Sequence, residues 1–218
     1  MSKAVMLSIQ PKWCELIASG KKTVEVRKTR PKLETPFKCY IYQTKKTWLY
    51  DIYSVIANWQ GKVIGEFTSY DIVEYETEFY SPKKQPVYEA ITKWNEENEV
   101  YEAVASNCDT YQTNFLNATC MTLEDFREYL GIGEVTFYGW HISDLVIYDE
   151  PKDLTDFFVE GECYPSRCSK CKYFDKGNGY NVEDDCLLPH HLNEEGNDVK
   201  PLFKAPQSWC YVEEISGA

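Results

Sequence analysis

The chain has 218 residues, of which 43% are hydrophobic and 27% charged. This length suffices for one domain with a sizeable core and a small appendage, and the content of bulky apolar residues argues against a disordered chain. The net charge of −12 argues against nonspecific binding of duplex nucleic acid, because that binding depends on basic side chains that release counterions from phosphates.

The charge is distributed unevenly along the chain. Residues 1–50 hold eleven Lys or Arg and three Glu, a net charge of +8, so the remainder carries −20. A basic segment on an acidic protein indicates a local anion site, and the alternative is a solvated basic face. The acidic remainder suggests a protein partner as a further alternative.

No targeting or membrane segment is visible in the sequence. Lys12 and Glu15 follow a short apolar stretch at the start, which does not fit a signal peptide. No window approaches the roughly 18–20 apolar residues that span a bilayer. We therefore expect a cytoplasmic protein without a membrane segment, whose nine cysteines are reduced thiols or metal ligands rather than disulfides.

The first third of the chain alternates short strands with one helix. Alternation in the segment after Gly20 puts Val24 and Val26 on one face of a strand, and Glu25 and Arg27 on the other. The predicted helix covers Pro11–Ser19, and the predicted strands are Ala4–Ile9, Thr23–Arg27, Phe37–Gln43 and Val63–Tyr75.

The middle of the chain is interpreted as a helical insertion around residues 80–130. A capping box at Thr122–Asp125 predicts a helix that Gly131 ends. Residues 96–119 are polar and weakly periodic, which predicts a mobile loop. Thr136–Tyr148 returns to strand. A further helix is predicted from the spacing of four apolar residues behind Pro86, namely Val87, Ala90, Ile91 and Trp94.

A charged motif stands at the junction of the first helix and the second strand. Gly20–Arg27 reads GKKTVEVR and fits the pattern G-x-K-x-x-E-x-R. The motif resembles the signature of the ASCH domain family of the PUA-like superfamily, and Val63–Phe67 and Tyr138–Leu145 extend the similarity to about residues 4–157. This resemblance implies an α+β protein with a PUA-like β-barrel flanked by helices, and a nucleotide or RNA ligand.

The charged residues of the motif suit an anionic ligand. Lys22 offers a movable point charge and Arg27 a rigid donor fork. Glu25 lies on the same strand face as Arg27, where it can orient the guanidinium or accept from a base or ribose. The alternative is a surface ion-pair cluster of little energetic weight. We predict that Lys22, Glu25 and Arg27 hold the ligand, helped by Ser8, Lys45 and either Trp48 or Trp140.

Hydrolysis is the alternative function. A bacterial N4-acetylcytidine amidohydrolase belongs to the same broad family, and there a Lys and a Thr of this motif, with a distant Glu, are thought to hydrolyse the amide. Lys22 matches that Lys, but Glu25 stands at the Thr position, and a carboxylate does not replace a hydroxyl nucleophile in acyl transfer. Glu66 is the candidate for the distant carboxylate. These three residues are the catalytic candidates if the chain is an amidohydrolase or a ribonuclease.

Residues 158–218 are interpreted as a Cys-rich extension. Cys168 and Cys171 form a C-x-x-C pair, whose spacing suits two of the four ligands of a tetrahedral zinc site. The alternatives are free thiols or a redox-active pair. The segment resembles the Cys-rich C-termini of ASCH proteins from bacteriophages and prophages. We therefore expect a structural Zn²⁺ whose ligands are Cys168, Cys171, Cys186 and Cys210, with Cys163 or His190 as alternatives for the fourth.

Overall fold

The structure is a computed structural model that describes residues 3–45, 58–79, 89–106, 114–161, 193 and 195–214. It consists mostly of strands with a few helices, as expected for an α+β protein. The helices are α1 (Pro11–Ala18), α2 (Asn114–Thr119) and α3 (Leu123–Leu130). The strands are β1 (Lys3–Ile9), β2 (Val24–Arg27), β3 (Phe37–Gln43), β4 (Val63–Phe79), β5 (Glu89–Asn95), β6 (Val100–Ser106), β7 (Gly133–Lys152), β8 (Phe158–Glu160), β9 (Val199–Pro201) and β10 (Trp209–Glu213). In these ranges no helix has the length and apolar character needed to cross a bilayer.

The chain divides into two compact units, of which the first comprises residues 1–11, 38–66 and 146–218. Here β1 pairs with β3 in parallel and with β10 in antiparallel orientation. Because strands flank β1 on both sides and apolar groups cover its faces, six of its seven residues are buried. The rings of Tyr40 and Phe157 pack edge to face in this core, with 4.8 Å between their centroids.

The second unit comprises residues 12–37 and 67–145. Its strands pair in antiparallel fashion, β4 with β5, β5 with β6, and β2 with β7. Helices α2 and α3 cover the core with Phe115 and Phe126, which pack on the strand residues Tyr75 and Phe137. The ring centroids of Tyr75 and Phe115 are 4.4 Å apart, so aromatic packing joins the helices to the sheet.

Most local elements of the sequence prediction are confirmed. The strands and the helix of the first third lie within two residues of their predicted bounds, except that β4 runs four residues further than predicted. The capping box is present: the Thr122 hydroxyl accepts from the Asp125 backbone N–H at 3.1 Å, and Asp125 accepts from the Thr122 backbone N–H at 2.9 Å. Gly131 follows the last helical residue with a φ of 103°.

The predicted helix around Val87–Trp94 is wrong, because β5 occupies the described part of this segment. β5 lies between β4 and β6, and the adjacent residues Ala90 and Ile91, which point to opposite faces of the strand, are both buried. The apolar spacing therefore resembles that of a helix although the segment is a strand. The loop predicted at 96–119 is also wrong in part, since it contains β6 and α2. The insertion around residues 80–130 therefore contains two strands as well as two helices in its described residues.

Candidate functional site

Lys22 is a buried lysine at the junction between α1 and β2. Its side chain is 1% exposed, and its Nζ donates to the backbone carbonyls of Thr119 at 2.8 Å and Val24 at 2.9 Å. The ring of Trp13 lies 5.2 Å from Nζ, measured to the ring centroid. Burial lowers the pKa of the Lys22 ammonium, although the neighbouring Glu25 carboxylate acts in the opposite direction.

Glu25 joins Lys22 to Arg27. One carboxylate oxygen lies 3.5 Å from Lys22 Nζ, and the other lies 3.0 Å from Arg27 Nη2. The period of two along β2 puts Glu25 and Arg27 on one face, as the sequence indicates. The Glu25 and Arg27 side chains are each 7% exposed, so this is a buried ion-pair cluster and not a solvated surface network. We call Lys22, Glu25 and Arg27 the charged cluster.

The charged cluster carries one more positive than negative charge, because two cations share a single carboxylate. Such a buried arrangement is stable only when the charges are paired and hydrogen-bonded, which the two backbone carbonyls on Lys22 help to satisfy. Cys14 lies nearby on α1 with no exposed surface. Burial, with a contribution from the Glu25 carboxylate, raises the pKa of its thiol well above the usual range, so Cys14 is neutral and not an activated nucleophile.

Exposed basic residues accompany the charged cluster along the chain. Residues 12–37 hold seven Lys or Arg and three Glu. One of them, Lys28, directly follows β2 and places its Nζ 5.2 Å from the ring centroid of Tyr129. The accessible cations next to the cluster in sequence are Lys21, Lys28, Arg30 and Lys32. This part of the second unit therefore has the positive charge that an anionic ligand needs.

Two of the helper residues predicted for the ligand belong to the first unit. The Ser8 hydroxyl donates to the backbone carbonyl of Pro206 at 2.7 Å, which ties β1 to the segment before β10. Lys45 is exposed beyond β3. Of the two tryptophans, Trp48 lies outside the described residues. Trp140 is fully buried opposite Glu25 in the β2–β7 ladder, so it is a core residue and not a stacking surface.

Glu66 belongs to a second network, which the sequence did not predict. Its Oε2 accepts from the Tyr148 hydroxyl at 2.6 Å, and its Oε1 lies 3.1 Å from Lys38 Nζ. Lys38 also lies 3.5 Å from a carboxylate oxygen of Glu214. Burial, followed by the hydrogen bond to Glu66, raises the pKa of the Tyr148 hydroxyl, which therefore acts as a donor. These four residues are far apart in the sequence, and no local pattern connects them.

The predicted metal site falls largely outside the described residues. Cys168, Cys171 and Cys186 lie there, as do the alternative ligands Cys163 and His190. Cys210 is described on β10, opposite Met6 of β1. Burial raises the pKa of the Cys210 thiol to about 11. In the part of the chain that is described, no group of three or more His, Cys, Asp or Glu side chains is arranged to hold a metal ion.

Comparison with known proteins gives one family. The ASCH domain model matches residues 7–131. A search of curated protein sequences finds no match. The similar solved structures include ASCH from Zymomonas mobilis, at 15% identity and a TM-score of 0.49, with 97% of this chain and 88% of that chain covered. A point mutant of the same protein gives 15% identity, a TM-score of 0.48 and coverage of 98% and 92%. Because the family model matches more than half of the sequence, this chain belongs to the ASCH domain family.

Proposed function

We propose that this chain is an RNA- or nucleotide-binding module whose ligand is held at the charged cluster. The ASCH family is a PUA-like family generally linked to RNA binding. The observation that carries the proposal is the pairing of two buried cations with one carboxylate inside the region that the family model matches. The net positive charge of the cluster and the exposed basic residues beside it in sequence favour an anionic ligand.

The three residues of the cluster have different roles in this proposal. Arg27 contacts the ligand, because its planar guanidinium matches the geometry of a phosphate or a carbonyl edge. Glu25 orients that guanidinium through the 3.0 Å contact with Nη2. Lys22 is a positioning residue, since its Nζ holds the carbonyls of Thr119 and Val24 and thereby fixes the start of β2. The exposed cations Lys21, Lys28, Arg30 and Lys32 are auxiliary contacts to phosphate.

Binding of single-stranded RNA by the full chain tests this function. The affinity should fall with salt, with a shallow slope of about 0.7 per neutralised phosphate. Arg27→Lys keeps the charge but removes the two-point fork, so it should weaken binding by about 1–3 kcal/mol. Fluorescence anisotropy with a labelled oligonucleotide at several salt concentrations measures both effects.

Arg127→Lys on α3 is the matched control, and it should leave RNA affinity unchanged. If wild type binds neither RNA nor nucleotides, or if Lys22→Ala and Arg27→Ala both bind as wild type does, the charged cluster is scaffold. One observation favours the alternative, a hydrolase: the lowered pKa of Lys22 makes its amine easier to deprotonate. Turnover of N4-acetylcytidine that Lys22→Ala abolishes would replace the binding proposal with the amidohydrolase.

We further propose that residues 1–157 form a PUA-like β-barrel in a cytoplasmic protein. In the same proposal, residues 158–218 form a zinc-stabilised extension of the bacteriophage type. The C-x-x-C spacing of Cys168 and Cys171 supports the zinc site, as does Cys186. Cys210 is the fourth ligand in this proposal, and zinc would displace the proton of its thiol on binding.

Purified protein should contain about one Zn²⁺ per chain, and chelation should lower its melting temperature, because the binding free energy of a structural metal is folding free energy. Metal analysis by mass spectrometry and thermal denaturation with and without chelator measure this. Cys171→Ala should lower the melting temperature more than Cys108→Ala does. Metal-free protein whose stability is unchanged by chelator contradicts the zinc site.

A further inference from the structure

The hairpin of β5 and β6 carries two exposed aromatic side chains. Trp94 and Tyr101 are 44% and 54% exposed. They are direct partners in the β5–β6 ladder, so both rings lie on the same face of the hairpin. Their ring centroids are 5.0 Å apart and their planes meet at 65°. We call this exposed pair of rings the aromatic corner. Among the described residues, no Lys or Arg lies over either ring.

Two carboxylates of β4, those of Glu76 and Glu74, act on this aromatic corner. The Tyr101 hydroxyl donates to Glu76 Oε1 at 3.4 Å. The Glu76 carboxylate raises the pKa of that hydroxyl, and Glu74 acts in the same direction, so the field at the ring is negative. Lys93 is the only basic residue in the described ranges 70–77 and 90–106. The carboxylates in these ranges are Asp71, Glu74, Glu76, Glu96, Glu97, Glu99 and Glu102.

We infer that Trp94, Tyr101 and the neighbouring carboxylates of Glu74 and Glu76 form a docking site for a Lys- or Arg-rich segment of a protein partner. A guanidinium or ammonium within about 6 Å of a ring centroid is attracted to the ring face, and tryptophan is the strongest such ring. The neighbouring carboxylates then supply charge complementarity, which guides the encounter and fixes the orientation of the segment. The inference does not depend on the RNA-binding proposal, because it uses no residue of the charged cluster.

Charge favours this occupant over nucleic acid. Exposed aromatic rings also stack on bases, and single-stranded RNA would be the natural ligand if basic residues surrounded the rings. The described ranges 70–77 and 90–106 contain seven carboxylates and one lysine, and carboxylates repel phosphate. A ring pair that served only to stabilise the hairpin would need neither exposed rings nor neighbouring carboxylates, and it would bind no ligand.

Binding of a fluorescein-labelled oligo-arginine peptide to the full chain tests the site. Wild type should bind the peptide, less tightly as salt increases, because exposed charges are screened. Trp94→Ala and Tyr101→Ala should each weaken binding about two- to fivefold, as expected for one exposed cation–π contact. Trp94→Phe keeps a ring in the hairpin and should bind better than Trp94→Ala. Anisotropy gives the affinities, and thermal denaturation checks that each variant is folded.

Matched controls lie on α3, away from the hairpin in sequence. Tyr129→Ala removes an aromatic ring that is 38% exposed, and Glu128→Gln removes an exposed carboxylate, so both should leave peptide affinity unchanged. Equal peptide affinity in wild type, Trp94→Ala and Tyr101→Ala overturns the inference. A labelled oligo-uridine that binds wild type and loses affinity in the same two variants, while the peptide does not, would make the corner a base-stacking surface instead.

Discussion

Replacing Glu25 with glutamine is expected to lower the free energy of unfolding by about 3–5 kcal/mol, the usual cost of removing one partner from a buried ion pair. The substitution keeps the shape of the side chain but removes the only carboxylate of the charged cluster. Lys22 and Arg27, whose side chains are 1% and 7% exposed, would then both lose the carboxylate that they contact. Urea denaturation followed by circular dichroism measures the loss.

The matched control is Glu128→Gln, an exposed position on α3, where the free energy of unfolding should change by less than about 0.5 kcal/mol. If Glu25→Gln lowers the free energy of unfolding by less than about 1 kcal/mol, water reaches the charged cluster and its buried ion pairs do not stabilise the position of β2.

The Glu25→Gln loss should depend on pH in a defined direction. The folded state already lowers the pKa of Lys22 from its ordinary value of 10.5, and removing the carboxylate lowers it further. Between the pKa of Lys22 in the folded state and 10.5, the folded protein binds fewer protons than the unfolded chain, so the free energy of unfolding rises with pH. This range of pH is wider in Glu25→Gln than in wild type, so the stability of the variant rises more. The gap between the two proteins should narrow as pH approaches 10.5.

Replacing Gly65 with alanine is expected to lower the free energy of unfolding by about 3 kcal/mol, at the upper end of the cost of overpacking. A Cβ at this position of β4 would overlap the carbonyl oxygen of Val146, and it would come within 3.0 Å of Ile147 Cδ1 and 3.1 Å of Ile147 Cα. The backbone of β7 cannot retreat without leaving its ladder with β4, so a rotamer change does not relieve the overlap.

Gly20→Ala is the control for the Gly65 substitution. Gly20 has a φ of 72°, and a Cβ added there would meet no described heavy atom within 4 Å, so alanine costs about 1–2 kcal/mol through the left-handed backbone alone. Melting temperatures and urea midpoints compare the two variants. A Gly65→Ala loss no larger than that of Gly20→Ala contradicts the close approach of β4 and β7.

The sequence by itself determined the elements that depend on neighbouring residues. Alternation placed β2 and put Glu25 and Arg27 on one face of it, because successive side chains of a strand point in opposite directions. The Thr122–Asp125 capping box placed the start of α3, because its hydrogen bonds join residues three positions apart. The order of these elements and the motif at Gly20–Arg27 indicated the ASCH family, which the family comparison confirms.

Only the tertiary structure decided the features that join distant residues. The buried ammonium of Lys22 donates to the backbone carbonyl of Thr119, which is 97 positions away in the sequence. No local sequence pattern predicts that contact. The segment of Ala90 and Ile91 is a strand because β4 and β6 pair with it on either side, and both residues are buried although their spacing resembles a helix. Local periodicity reports which face of an element is apolar, whereas the partner that covers that face comes from elsewhere in the chain.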